Sequence, residues 1–234
     1  MATEFNHLYQ YSVLSAFMQG LAEEGKPVGE ILAQADHGIG TVPNINGEVI
    51  IIDGEGYYFS LDNNELQKMQ PTDFMPFVMA TRFKPTIVNE ARPLRMELLS
   101  ESLRPLLPLR QNNFLSIRID ATFRQIKYNI ISPQRQPRES LRDLLARREA
   151  REAKNIKAVM FGFWSPPFTN AFTIDGMHLH FVSDDRRTGG HVMDFCAENA
   201  TLSAAAILEY HVQLPSSEAF NEVPIEAHSV GKTL

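Results

Sequence analysis

The spacing of apolar side chains along this chain switches between two periods. From Tyr9 to Leu32 they recur at helical spacing, with Leu14, Met18 and Leu21 on one face, and the break at Gly25 to Pro27 predicts two short helices. The pattern then turns to β. GEVIIIDGEGYYFS, from Gly47 to Ser60, is interrupted at Asp53-Gly54 and reads as a hairpin, and FMPFVMATRF, from Phe74 to Phe83, reads as another strand. Glu90 to Arg110 is leucine-rich and helix-like, broken by Pro105 and Pro108. FLSIRIDATF and QIKYNII form a strand pair, followed by the loop SPQRQP and a charged helix from Glu139 to about Lys154. The last third, with AVMFGFWSPPF, AFTIDGMHLHFVS, GGHVMDFCA and ATLSAAAILEYHVQL, is again β-rich.

No regular βαβ alternation accompanies these strands, so the expected class is α+β: two β-rich subdomains with mixed sheets and short flanking helices. The division expected is 1–112 for an N-terminal α/β subdomain and 113–234 for a C-terminal β-rich, metal-binding one.

Composition narrows the picture. At 234 residues and 44% hydrophobic content the chain can bury a sizeable core, which excludes disorder as its main state. A net charge of -6 gives no footprint for nucleic acid. Arg135 to Lys157 holds eight Lys or Arg against four Asp or Glu, but the interleaved acids predict a solvated, self-paired face. No Lys or Arg precedes Lys26, as a secretory signal would require, and no apolar stretch approaches the roughly 18 residues of a membrane span. A single cysteine, Cys196, cannot form an internal disulfide; it reads as a small buried hydrophobe in a reducing, cytoplasmic setting.

The chemistry concentrates in GMHLHFVSDDRRTGGHVMDF, Gly176 to Phe195. Side chains two apart on a strand share a face, so His178 and His180 project together while Leu179 points the other way. SDDRRTGG has the residues of a reversing loop, after which His191 starts a strand running back beside the first. Three neutral imidazoles suit zinc or a similar divalent metal, and three protein ligands leave a position open for water or substrate. The isolated His7, His37, His211 and His228 read as ordinary surface or core residues.

In order and separation, YQYSVLSAFMQGLAEEG, GIGT, NGEVIIIDGEGYY, GFWSPPF and above all the histidine block resemble the α-acetolactate decarboxylase family, over roughly Tyr9 to Pro215. The resemblance implies a two-domain, usually dimeric, zinc-dependent lyase that converts 2-acetolactate to acetoin and carbon dioxide through a metal-stabilised enediolate. Its metal ligands fall on His178, His180 and His191, its glutamate on Glu48 as catalytic proton donor, and its threonine on Thr41 as a substrate-binding residue. Reprotonating the enediolate needs a carboxylic acid with a pKa lifted toward neutral, the part assigned to Glu48.

Two departures qualify the resemblance. Asn129 stands where the family has an arginine able to engage a substrate carboxylate, which leaves Lys127 and Arg118 as replacement cations. The family's late glutamate has no counterpart at its usual separation, and Glu226, or Glu222, would have to fold back to supply it. Ser165 keeps the hydroxyl of a family threonine. These departures leave open a repurposed member that uses the same zinc site for decarboxylation, isomerisation or cyclisation of a larger hydroxy-keto or β-keto substrate. A third, non-enzymatic reading is a binding module with a closed four-ligand metal site. The expected partners are a small-molecule hydroxy-keto acid and a second copy of the chain, with no nucleic acid and no membrane.

Overall fold

The computed structural model, which describes residues 5–62, 64–104 and 106–226, resolves the β-rich sequence into two large sheets and one two-stranded ribbon. The chain opens with β1 (His7–Tyr11), α1 (Leu14–Met18), β2 (Lys26–Pro27) and α2 (Val28–Leu32). Next come β3 (His37–Thr41), β4 (Glu48–Ile52), β5 (Glu55–Phe59), β6 (Leu66–Lys68), β7 (Phe74–Met75) and β8 (Phe77–Thr81). The second half runs through β9 (Ile87–Ala91), β10 (Leu94–Arg95), α3 (Leu99–Ser102), β11 (Phe114–Ile130), α4 (Leu141–Leu145), β12 (Glu149–Ser165), β13 (Gly176–Ser183) and β14 (Gly189–Ile207). It ends with β15 (Glu209–Gln213) and α5 (Glu218–Asn221).

The first sheet has the order β15-β1-β8-β3-β4-β5-β6 and is mixed, because β15 lies parallel to β1 while the other pairs are antiparallel. The second has the order β10-β14-β11-β12-β13 with β9 also on β14, and a further β13–β14 pairing closes β11, β12, β13 and β14 into a ring. Few and short helices flank these sheets, as an α+β fold requires. Elements cross the 112/113 boundary in both directions: β9 and β10 pair with β14, and β15 returns to the first sheet. No helix among the described residues is long and apolar enough to cross a membrane.

The hairpin expected at Asp53-Gly54 is present, with both turn residues at positive φ (53° and 81°) between β4 and β5. Other local expectations are corrected. Tyr9 lies in β1, where pairing with β8 and β15 overrides the helical spacing, and the first helix is only Leu14–Met18. Glu90 to Arg110 contributes strand residues and the four-residue α3 in place of a longer helix. The two strands expected between Phe114 and Ile131 are one, β11. The charged helix shrinks to Leu141–Leu145, and the stretch after it is strand β12, paired residue for residue with β11. Its charges still pair among themselves, Arg151 with Glu149 and Lys154 with Glu152, each two residues apart along one strand face. Cys196 is half-buried, not fully buried, because β14 carries it opposite Arg95 and Gln125 on a partly exposed stretch.

Two cores matter for the site. Leu179, Phe181, Met160, Ile117 and Ile119 pack on one face of the second sheet. Its other face presents Phe161, Phe163 and Val182 to Ile50, Ile52 and Ile39 of the first sheet. Phe161 and Phe163 are fully buried, and burial of each such ring stabilises the joint by about 1.5–3 kcal/mol. The joint between the sheets is where the histidines lie.

Candidate metal centre

Strand alternation sends Leu179 and Phe181 into the second sheet's own core, and therefore turns His178 and His180 toward the first sheet. Gly162 makes this approach possible: a Cβ there would lie 1.9 Å from the His178 carbonyl oxygen, so only glycine lets β12 run this close to β13. The loop then reverses the chain and sets His191 directly opposite His180. The three rings lie with centroids 4.8 to 5.3 Å apart. One nitrogen from each falls within 4.8 Å of the others.

The donor set fits a divalent cation. His180 Nδ1 lies 2.7 Å from the backbone carbonyl of Val49. A carbonyl only accepts, so the Nδ1–H donates and the lone pair sits on Nε2. That Nε2 is 3.2 Å from the Nε2 of His178. Metal–nitrogen bonds of about 2.0–2.1 Å at tetrahedral angles give a nitrogen–nitrogen edge of roughly 3.3 Å, close to this spacing.

Electrostatics agree. Burial, reinforced by the neighbouring histidines, holds the His178 imidazole well below its usual range. Burial takes His180 down to about 3, with His191 adding to the effect and the Val49 bond opposing it. Burial and then the Arg148 guanidinium take His191 down to about 4. All three are neutral near pH 7, the state in which imidazole offers a lone pair.

Glu48 starts β4 directly opposite Thr41 on β3, and its Oε2 lies 3.5 Å from His180 Nε2. The side chain is 8% exposed. Burial pushes its carboxyl up to about 8, opposed in part by the Ile131 backbone N–H, which donates to it. Its Oε1 has no hydrogen-bond partner. Thr41, also buried, donates its hydroxyl proton to the Gly47 carbonyl at 2.8 Å and so braces the turn that aims Glu48.

The other expected site residues are placed elsewhere. Lys127 is half-exposed on β11, 3.2 Å from Asp194. Arg118 donates to Asp120 (2.8 and 3.0 Å), to Asp53 (2.6 Å) and to His37 Nε2 (2.9 Å), while His37 Nδ1 donates to Asp36 at 2.7 Å. This cluster ties the start of β3 and the β4–β5 turn to β11. Glu226 is exposed beyond α5, and Glu222 pairs with Arg138 at 2.6 Å. Asn129 is buried directly opposite His191, in the row of side chains that borders the triad. Sequence reasoning missed the Val49 carbonyl, the Ile131 amide and Arg148; none belongs to a motif, and only the folded register brings them to the histidines.

An α+β protein with two sheets enclosing convergent neutral imidazoles and a protonated carboxyl has the makings of a metal-dependent enzyme centre. The model of the alpha-acetolactate decarboxylase family matches residues 8–227, and the chain belongs to that family. The alpha-acetolactate decarboxylase of Bacillus licheniformis is 29% identical over 226 residues, covering 96% of this chain and 88% of that protein. That of Lactococcus lactis subsp. cremoris is 30% identical over 235 residues, with 96% of each chain covered. Among solved structures, alpha-acetolactate decarboxylase from Bacillus subtilis superposes with a TM-score of 0.88 at 26% identity, over 94% of both chains.

Proposed function

We propose that this chain is a carboxy-lyase that converts 2-acetolactate to acetoin and carbon dioxide, with zinc or a similar divalent ion held by His178, His180 and His191 and with Glu48 as proton donor. The observation that carries the reading is the juxtaposition of three neutral imidazoles, their nitrogens within 4.8 Å, with a carboxyl held protonated up to about 8. A divalent cation in such a cage supplies Lewis acidity to oxygens of a bound hydroxy-ketone.

The chain's own residues account for the remainder. Decarboxylation breaks the bond between the carboxylate carbon and the carbinol carbon, and the electron pair left behind spreads onto the adjacent ketone oxygen. Glu48 delivers a proton to that carbon, which gives acetoin, and recovers one from water. Because Oε1 carries no protein partner, the carboxyl has a face free for this transfer. His178, His180 and Glu48 are 7%, 2% and 8% exposed, so the reacting carbon sits away from bulk water. Thr41 borders the substrate in this reading, from its place opposite Glu48.

Lys127 and Arg118 stay with their carboxylate partners, and Glu226 would join only if the tail were brought over the site. We also place the chain in the cytoplasm as a homodimer; sedimentation at micromolar concentration tests the assembly. The function is tested by metal analysis with an acetoin assay. Stoichiometric divalent metal and acetoin formed from acetolactate are expected, and a metal-loaded protein that forms none would overturn the reading.

A further inference from the structure

The cations on β11 and in the α4–β12 connection differ in what holds them. Lys127 is tied to Asp194, Arg118 to Asp53 and Asp120, and Arg147 to Glu139 at 2.6 Å. Arg148 is held only through its Nη1, which donates to the Leu145 backbone carbonyl at 2.8 Å. Among the described residues no carboxylate lies within ion-pair distance of it. Arg148 itself is exposed.

Register brings this guanidinium to the site. Asn129 pairs with His191 on one side and with Ala150 on the other, so the three form one row across β14, β11 and β12, with their side chains on the same face. Neighbouring strands in such a row are about 4.8 Å apart. Arg148 lies two residues before Ala150, one residue outside the Ile130–Glu149 pair that ends this ladder. The residue that follows β11 is Ile131, whose amide donates to Glu48. Arg148 thus stands at the rim between the row that ends in His191 and the residue that contacts Glu48.

We propose that Arg148, delivered from the α4–β12 connection, binds the carboxylate of the substrate at the mouth of the site. The proposal rests on the reading of this chain as a lyase for a 2-hydroxy-3-keto acid. A guanidinium fork matches a carboxylate bidentately, and Asn129, the side chain nearest His191 across the row, carries no charge to do so. An exposed position also suits a decarboxylation. The substrate's negative charge leaves the carboxyl group as carbon dioxide forms, so a strong buried ion pair there would stabilise the ground state over the transition state. A solvent-screened arginine captures the anion with less of that penalty.

The test compares wild type with Arg148→Gln and Arg148→Lys in metal-loaded protein. Arg148→Gln should raise KM for acetolactate about 10- to 100-fold with kcat nearly unchanged, the fold-loss typical of a charged hydrogen bond. Inhibition by neutral acetoin should not move, and Arg148→Lys should recover part of the loss. Calorimetric titration with 2-hydroxy-2-methylpropanoate and with its uncharged amide separates this proposal from the functional reading: the glutamine variant should lose affinity for the anion alone. An unchanged KM, equal weakening toward anion and amide, or a wild type that fails to bind the anion each overturns the role of Arg148. Absence of acetoin from a wild type that does bind the anion through Arg148 overturns the acetolactate reading and leaves Arg148 as the anion site.

Discussion

The Nδ1–H of His180 donates to the backbone carbonyl of Val49 across 131 residues of sequence, at 2.7 Å. This bond joins the strand that carries two of the imidazoles to the strand that begins with Glu48. The contact fixes the tautomer of His180 and ties its strand to the one that carries Glu48.

His180→Ala removes one of the three proposed ligands and the Val49 partner together. Metal content measured after dialysis should fall from about one ion per chain to a small fraction, since one of the three proposed protein ligands is gone. Acetoin formation should drop with it. Circular dichroism should still show the β-rich fold, because the core on the opposite face of β13 is untouched.

Glu48→Gln keeps the shape of the side chain and the hydrogen bond from Ile131 but cannot give up a proton. Metal content should stay at the wild-type level while kcat falls by about 10²–10⁴-fold, the range for loss of a positioned acid. A variant with unchanged turnover would remove Glu48 from the chemistry.

Metal-free protein should lose stability in acid in a defined window. The imidazoles of His180 and His191 sit at about 3 and about 4 in the folded chain, below the ordinary histidine value of 6.5. On these two groups the unfolded chain binds more protons between those limits, so they make stability fall as pH drops from about 6.5 toward 4, by up to about 1.4 kcal/mol per pH unit each, while Glu48, which keeps its proton in the folded chain up to about 8, offsets one such share. Urea midpoints in chelator at pH 7 and pH 5 measure this, and His180→Gln should flatten the dependence. Bound metal, which competes with protons for the same nitrogens, should shift the loss to lower pH.

Gly162→Ala places a methyl group where the His178 carbonyl stands 1.9 Å away. Backbone on both sides of the contact must shift, so destabilisation of about 3 kcal/mol is expected, at the upper end for overpacking. For a chain of this size that lowers Tm by roughly 6–12 °C. Metal affinity should fall as well, because the displaced strand carries two of the proposed ligands, His178 and His180.

The site was legible in the sequence wherever its parts are local. His178 and His180 share a strand face because side chains alternate, and the polar loop after Ser183 returns His191 within a few residues, so the cage was readable from twenty consecutive positions. The Asp53-Gly54 hairpin was readable for the same reason. β12 was not. Its Ala-, Glu- and Lys-rich first half favours a helix in isolation, and only pairing with β11 along its length makes it a strand. That difference matters for function, because the strand register, not a helix face, carries Arg148 toward Asn129 and His191.

Sequence by itself determined the imidazole set, the Asp53-Gly54 hairpin and the α+β class, since each depends on contacts between residues close in the chain or on the period of apolar positions. Tertiary structure alone decided the protonation of the site and the assignment of its cations. Burial between two sheets raises Glu48 and lowers the histidines, and carboxylates distant in sequence claim Arg118 and Lys127 while leaving Arg148 without one. A pKa depends on lost solvent and on charges brought near by folding, and neither quantity exists until the sheets have closed on each other.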